Sequence, residues 1–285
     1  MKNLSKLIEK LDLEDGITQS QIPGIVFFKT SEHRPRMPLL YEPGICVLFQ
    51  GKKIIYIKDR QFQYDPDNYL VVSMCTPCEG EALATPDQPV IGMYIYIDIV
   101  QIFELISLSG KNIDTKSFSE KGLRGIGPAP VNEKMADVIK RLICCHFNDS
   151  DARILGPGLI REILYRALEG KQAPILLALT NRDGNYSKIA HTLRFIQKNY
   201  MDNFEVEELA GKVNMGLSAF HRAFKKVTSD TPIQYIKKIR LIKANSLIMQ
   251  DKLKAYEAAE KVGYESTSQF SREFKRFFGN NPSEI

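Results

Sequence analysis

Ser266, Thr267, Ser268, Gln269, Ser271, Arg272, Lys275 and Arg276 crowd into the stretch GYESTSQFSREFKRFFGNNP, residues 263–282, among four phenylalanines. Phe270, Phe274 and Phe277 fall at i, i+4 and i+7, the spacing of one buried helical stripe. At about 100° per residue, the opposite side is centred on Ser268, Arg272, Lys275 and Arg276, with Ser271 at its margin. Hydroxyl and guanidinium groups at the start of such a face can hydrogen-bond base edges, and the cations further along suit phosphates. The same pattern also describes an ordinary solvated face, so taken alone it names no ligand.

The pattern occurs twice, and the repetition is what separates the two readings. In LAGKVNMGLSAFHRAFKKVTSDTP, residues 209–232, Phe220, Arg222, Phe224, Lys225, Lys226 and Pro232 precede Phe270, Arg272, Phe274, Lys275, Arg276 and Pro282 by 50 residues each. Ala210 and Val213 precede Ala259 and Val262 by 49, so the second copy has one extra residue between its helices. Phe220, Phe224 and Val227 form the inner stripe of the first copy, which turns Ser218, His221, Arg222, Lys225 and Lys226 outward. Duplication of both a stripe and a cationic face is hard to reconcile with two unrelated core helices.

The elements that position these faces can be read from local chemistry. Each copy has a small residue followed four positions later by one that tolerates the left-handed conformation: Ala210 then Asn214, and Ala259 then Gly263. This is the grammar of a helix-turn-helix, whose second helix lies in the DNA major groove. Ser266 is an expected N-cap, Gly279 an expected C-terminal stop, and Pro282 lies beyond it. Between the copies, TPIQYIKKIRLIKANSLIMQ begins with a capping Thr231 and a first-position Pro232 and meets no breaker up to Gln250. A helix of about 18 residues there would span about 27 Å, close to the roughly 34 Å between successive major-groove faces.

At these residues the chain resembles the AraC/XylS family of bacterial transcription regulators. AAEKVGYESTSQFSREFKRFFGNNPSE is similar to the family's C-terminal signature, and SAFHRAFKKVTSDTPIQYIKKIRL to its first recognition and connecting helices. The resemblance implies a DNA-binding domain over residues 186–285. It places base-reading positions at Ser218, His221 and Arg222 in the first unit, and at Thr267, Ser268, Ser271 and Arg272 in the second. Lys225, Lys226, Lys275 and Arg276 are the candidates for backbone contact. Ser229 stands where the family usually has glycine, opposite Gly279, an expected loosening of the first recognition helix's end. Because small hydroxyls discriminate weakly, most direct specificity falls on the two arginines, which can pair bidentately with guanine.

Charge is distributed to match. From residue 186 onward there are 17 Lys and Arg against 11 Asp and Glu, whereas the rest of the chain has 22 against 23. The net +5 of the whole chain therefore comes from the half that would meet phosphates. The opening MKNLSKLIEKLDLEDG interleaves charges too closely for a signal peptide, and no apolar run of 18 residues suggests a membrane span. With 285 residues, the chain is expected to form two domains. Its odd count of five cysteines suits a reducing cytoplasm better than a disulfide framework.

Between about residues 22 and 97 the pattern becomes β-rich. GICVLFQGKKIIYIKDRQFQY, YLVVSMCTPCEG and VIGMYIYID are separated by breakers at Pro43-Gly44, Gly51, Asp65-Pro66-Asp67, Gly80 and Pro86-Asp87, as in a small barrel or sandwich. This part, with PILLALT and GLIREILYRALEGKQ, resembles the N-terminal domain of one branch of the same family, a cupin-like β-barrel. That resemblance implies a domain over residues 1–180 which binds a small-molecule effector or mediates dimerisation.

Two amphipathic helices are expected after the barrel as an antiparallel hairpin. One carries the stripe Met135, Val138, Ile139, Leu142, Ile143, His146 and Phe147; the other carries Leu159, Ile160, Ile163, Leu164, Ala167 and Leu168. The hairpin would cover the barrel or form a dimer interface, and His146 is expected to be packed rather than ligating. The fold class is thus α+β: an N-terminal cupin-like β-barrel with a helical hairpin and a C-terminal all-α tandem helix-turn-helix domain.

Metal chemistry in such a barrel needs clustered histidines. The four present are His33, His146, His191 and His221, with no His-x-His, so no metal site and no cofactor are expected. Cys75-Thr76-Pro77-Cys78 could act as a thiol or electrophile sensor, could be half of a zinc site, or could be two ordinary thiols at a strand end.

These observations point to a sequence-specific regulator, expected to activate transcription rather than to catalyse a reaction. Its expected partners are double-stranded promoter DNA, RNA polymerase, a second copy of the chain and a small-molecule effector, with no membrane. Two other readings stay open: a ligand-independent DNA-binding regulator, and a cupin-type metalloenzyme fused to a DNA-binding domain.

Overall fold

The computed structural model describes residues 5–109, 125–181 and 184–285, so the first four residues of the N-terminal stretch lie outside the described residues. The chain divides into two compact units. Met1–Arg36, Glu42–Ser73 and Gly80–Asn181 form one; Arg182–Ile285, joined by the short stretches Met37–Tyr41 and Met74–Glu79, form the other.

The β-rich segment folds into two sheets. After α1 (Ser5–Lys10) come β1 (Gly16–Gln19), β2 (Ile25–Thr30), β3 (Arg34–Tyr41), β4 (Gly44–Gln50) and β5 (Lys52–Ile57). They are followed by β6 (Arg60–Tyr64), β7 (Asn68–Val72), β8 (Thr76–Leu83) and β9 (Val90–Tyr96), with β10 (Ile126–Pro130) further on. One sheet has the order β1-β2-β9-β4-β7-β10, and each of its neighbouring pairs is antiparallel. The other has the order β3-β8-β5-β6. The residues of β4 explain its central position: Ile45, Cys46, Val47 and Leu48 are successive apolar residues, and all are buried, so both faces are covered.

The β-structure extends beyond residues 22–97 at both ends. β1 is fully exposed at one edge of the larger sheet, and β10 closes the other by pairing Ile126–Pro130 with Val72–Asn68. IGPAP reads poorly as a strand because two prolines lack a donor, but an edge strand uses only half of its backbone groups.

Helices follow the strands. Asp98 caps α2 (Ile99–Leu108), and Asn132 caps α3 (Glu133–His146) by accepting from the Met135 amide at 2.9 Å. The expected stripes of α3 and α5 (Gly156–Glu169) are buried at Met135, Val138, Ile139, Leu142 and Ile143, and at Leu159, Ile160, Ile163, Leu164 and Ala167. Arg141 ties the two helices together through Glu162 at 2.8 Å. Their connection is not a plain loop: α4 (Asp149–Ile154) occupies it, because Asn148 accepts from both Ser150 and Asp151 and starts another turn of helix. α6 (Ala173–Leu177) and a short 3₁₀ turn (Ala178–Thr180) complete this part.

The second unit is built on α7 (Asn185–Lys198), α8 (Val206–Lys212), α9 (Leu217–Thr228), α10 (Pro232–Met249), α11 (Ala255–Lys261) and α12 (Thr267–Phe278). Helix α10 starts where its sequence requires: Thr231 accepts from the Gln234 amide while the Gln234 side chain accepts from the Thr231 amide, with Pro232 in the first turn. The Phe220 and Phe224 rings meet at a tilt of 56°, and Phe224 meets the fully buried Tyr235 of α10 edge-on at 5.6 Å. The Tyr235 hydroxyl donates to the Cys75 carbonyl at 2.9 Å. Around α12, Phe270 and Phe274 pack into a core with Leu241, Ala244, Ile248, Ala258, Ala259 and Val262.

Candidate nucleic-acid interface

The two helix pairs share their backbone wiring. In the first, Asn214 takes the left-handed conformation with φ of 52°, its amide donates to Gly211, and the Met215 amide donates to Ala210. In the second, Gly263 has φ of 80°, its amide donates to Glu260, and the Tyr264 amide donates to Ala259. The distal ends also match. Ser229 and Gly279 are both left-handed, with φ of 69° and 88°, and donate to the Lys225 and Lys275 carbonyls at 2.8 Å. Ser229 thus adopts the glycine-like conformation despite its Cβ, and the end of α9 is as well formed as that of α12.

Burial sorts the side chains as the stripe predicts. Phe220, Ala223, Phe224 and Val227 of α9 and Phe270 and Phe274 of α12 are buried, with Phe277 partly so. Of the base-reading candidates, Ser218, Arg222, Thr267, Ser268 and Arg272 are exposed, and His221 and Ser271 are half-buried. The His221 ring lies edge-on to Phe220 at 6.5 Å. Lys225, Lys226, Lys275 and Arg276 are exposed in the last turns of their helices, where they also complement the helix dipoles. Among the described residues, Arg222, Lys225, Lys226, Arg272 and Arg276 form no ion pair, so their charges face outward uncompensated at close range. Lys275 contributes to holding the Glu284 carboxyl below its usual range, behind two hydrogen bonds from Asn281.

The cations on the inner side behave differently, and periodicity alone did not single out the groups they engage. Lys237 pairs with Glu273 at 2.7 Å, and Lys238 grips the buried Asp230 at 2.8 and 2.9 Å. Burial pushes the Glu273 carboxyl up, but hydrogen bonds from Lys237, Gln269 and Tyr264 outweigh it and hold the group below its usual value. Arg240 donates to three backbone carbonyls: Nε to Tyr200 at 2.7 Å, one terminal nitrogen to Gly263 at 3.0 Å and the other to Asp202 at 2.8 Å. Glu273 left a signal in the sequence, since its counterpart 50 residues earlier is Ala223, a buried residue. A carboxylate at an inward position needs a partner. Gln269 is exposed, with its amide donating to Glu273 at 3.1 Å.

The remaining candidates lie elsewhere. Cys75 and Cys78 are buried at the start of β8, and no disulfide joins any of the five cysteines. His33 meets Glu81 at 2.9 Å, and among the described residues no three His, Cys, Asp or Glu side chains group as a metal site. His146 is packed against Phe27, with ring centroids 4.9 Å apart, and burial lowers its pKa.

Comparison with known proteins agrees with this geometry. Residues 21–175 match the AraC-type transcriptional regulator N-terminus, and residues 209–285 match a helix-turn-helix domain. The chain belongs to the AraC-type transcriptional regulators. It is 23% identical over 262 residues to the thermoregulatory protein LcrF of Yersinia pestis, and 26% identical over 262 residues to the virulence regulon transcriptional activator VirF of Yersinia enterocolitica. Each alignment covers 90% of this chain and 91% of the relative. In fold it is similar to ToxT from Vibrio cholerae, solved with unsaturated fatty acid bound: the TM-score is 0.65 at 13% identity, covering 95% of this chain and 96% of that one. The protein is accordingly a DNA-binding transcription regulator. None of its described helices is long and apolar enough to cross a membrane.

Proposed function

We propose that the regulator activates transcription by laying α9 and α12 into adjacent major-groove segments of one promoter site. Ser218, His221 and Arg222 read one half-site, and Thr267, Ser268, Ser271 and Arg272 read the other. The observation that carries this reading is the duplicated wiring of the two helix pairs, with outward unpaired arginines at the same position of each recognition helix. Phosphate contacts from Lys225, Lys226, Lys275 and Arg276 supply affinity that falls with salt.

The N-terminal unit receives a small molecule or a second copy of the chain, and either input biases the DNA-binding helices by favouring one of two states. The effector reading draws support from the fatty acid carried by the similarly folded ToxT, and the activator reading from the similarity to VirF, a virulence regulon transcriptional activator. The protein works in the cytoplasm with RNA polymerase as its downstream contact, holds no resident cofactor and catalyses no reaction.

Footprinting on a site selected from random DNA with the full chain tests the proposal. Two protected patches about one helical turn apart are expected, with Arg222→Ala erasing one and Arg272→Ala the other. A single patch, or one indifferent to both substitutions, refutes it. Metal found by elemental analysis of the purified protein would favour the cupin-type enzyme instead. A thermal transition unmoved by every candidate effector would favour the ligand-independent regulator.

A further inference from the structure

The two recognition helices are joined to the spacer helix α10 by different means. Helix α9 runs into α10 through only three residues, Ser229 to Thr231, and that corner is locked by Asp230 on Lys238. The second pair starts only after residues 250–254, whose Asp251 and Leu253 amides donate back to the Leu247 carbonyl, and Phe270 and Phe274 pack on Leu241, Ala244 and Ile248 of α10. A polar brace acts on top of that packing. Lys237 and Arg240 lie three residues apart, on one face of α10. Lys237 holds Glu273 of α12, whose other oxygen accepts from the Tyr264 hydroxyl at 2.9 Å. Arg240 reaches the turn itself, taking the Gly263 carbonyl together with those of Tyr200 and Asp202 beyond the end of α7. Asn203 adds a second tie across the same junction, donating to Glu265 at 3.1 Å. The first pair carries Ala223 where the second has Glu273, so it has no counterpart of this brace at that position.

We propose that Arg240 is the positioning residue that fixes the second recognition helix relative to the first, and so sets the half-site spacing that the regulator accepts. The guanidinium fork suits this task because its planar donors fix three carbonyls in one geometry, which an ammonium cannot do. The inference rests on the reading of two half-sites by two helices. One added base pair turns the second half-site by about 34° and moves it about 3.4 Å, a displacement that a rigid pair of heads cannot follow.

The test uses the full chain on operators whose half-sites are moved apart or together by one and two base pairs. For the wild-type protein, one inserted pair is expected to lower affinity by about tenfold or more, as for the loss of a good base contact. Arg240→Met is expected to lose less than about threefold on the same change while still protecting both half-sites at the original spacing, and Arg240→Lys to fall between. Glu273→Ala, which gives the second copy the residue of the first, is expected to widen the tolerance in the same direction. If Arg240→Met stays as sensitive to spacing as the wild type, the proposal is wrong. It is equally wrong if the variant loses the second footprint at every spacing, for then Arg240 only keeps the unit folded. A wild-type affinity indifferent to the second half-site overturns the two-helix reading itself, and the proposal with it.

Discussion

Gly263 backs directly onto the carbonyl of Met201: a Cβ built on it would collide with that oxygen and stand only 2.9 Å from the carbonyl carbon. The residue also needs φ of 80°, so two independent demands exclude a side chain. Gly279 has almost the same φ, 88°, but open space around its missing Cβ. The pair separates conformation from contact. Gly279→Ala is expected to lower stability by about 1–2 kcal/mol, the left-handed penalty alone. Gly263→Ala adds an overpacking term against backbone, which cannot swing aside as a side chain would, for a total of about 2–5 kcal/mol. Urea midpoints of the two variants measure the difference; equal losses would show that the Met201 contact relaxes freely.

What could be read in advance was whatever depends on near neighbours in sequence. Thr231, Ser266 and Gly279 terminate helices by chemistry within four residues, and the structure places all three as their types dictate. The outward arginines follow from the same local periodicity. Ser229 shows where local rules mislead: a serine at a glycine position implies a loose helix end, yet it is left-handed and its amide closes the helix on the Lys225 carbonyl. Long-range partners were not legible. β10 joins the sheet through β7, more than 50 residues away in sequence, and nothing in IGPAP announces it. Arg240 looked like any cation on a long helix, because carbonyl acceptors leave no trace in side-chain composition.

Arg222 and Arg272 should differ from the lysines beside them in the form of their loss. Arg222→Ala and Arg272→Ala are expected to cost about 1–3 kcal/mol each on the selected site and to relax preference at one base position. Lys226→Ala and Arg276→Ala should weaken binding nearly equally on every sequence, and each should lower the slope of log affinity against log salt by about one. Salt titrations on specific and scrambled DNA check both. A Lys226→Ala protein that loses preference with an unchanged slope would reassign that residue to base reading.

His146 predicts a dependence on acid. The Gln21 amide donates to its Nδ1 at 3.3 Å, and burial disfavours the charged form. The folded pKa therefore lies below the ordinary 6.5, and the unfolded chain takes up the proton first. The stability associated with the neutral ring is fully present above pH 6.5 and is lost as pH falls from there toward the folded value. His146→Gln should remove this component, so the wild-type urea midpoint should fall relative to the variant's between about pH 7.5 and 5.5. A constant difference would mean that His146 titrates alike in both states.

The cysteines divide by exposure, and their reactivity should divide likewise. Cys144 is exposed on α3, whereas Cys46, Cys75, Cys78 and Cys145 are buried. Burial pushes the Cys46 and Cys145 thiols up, which lowers the fraction present as the attacking thiolate. A native chain should therefore release one thiol equivalent rapidly to an aromatic disulfide reagent and the rest only on unfolding, and Cys144→Ser should abolish the rapid phase. A sensing role for Cys75 and Cys78 then requires the start of β8 to open, because a buried thiol meets neither oxidant nor electrophile. Rapid labelling that survives Cys144→Ser and disappears in the Cys75→Ser, Cys78→Ser double variant would show that such opening occurs in the native protein. If that double variant also keeps the transcriptional response to oxidants and electrophiles unchanged, the pair is structural.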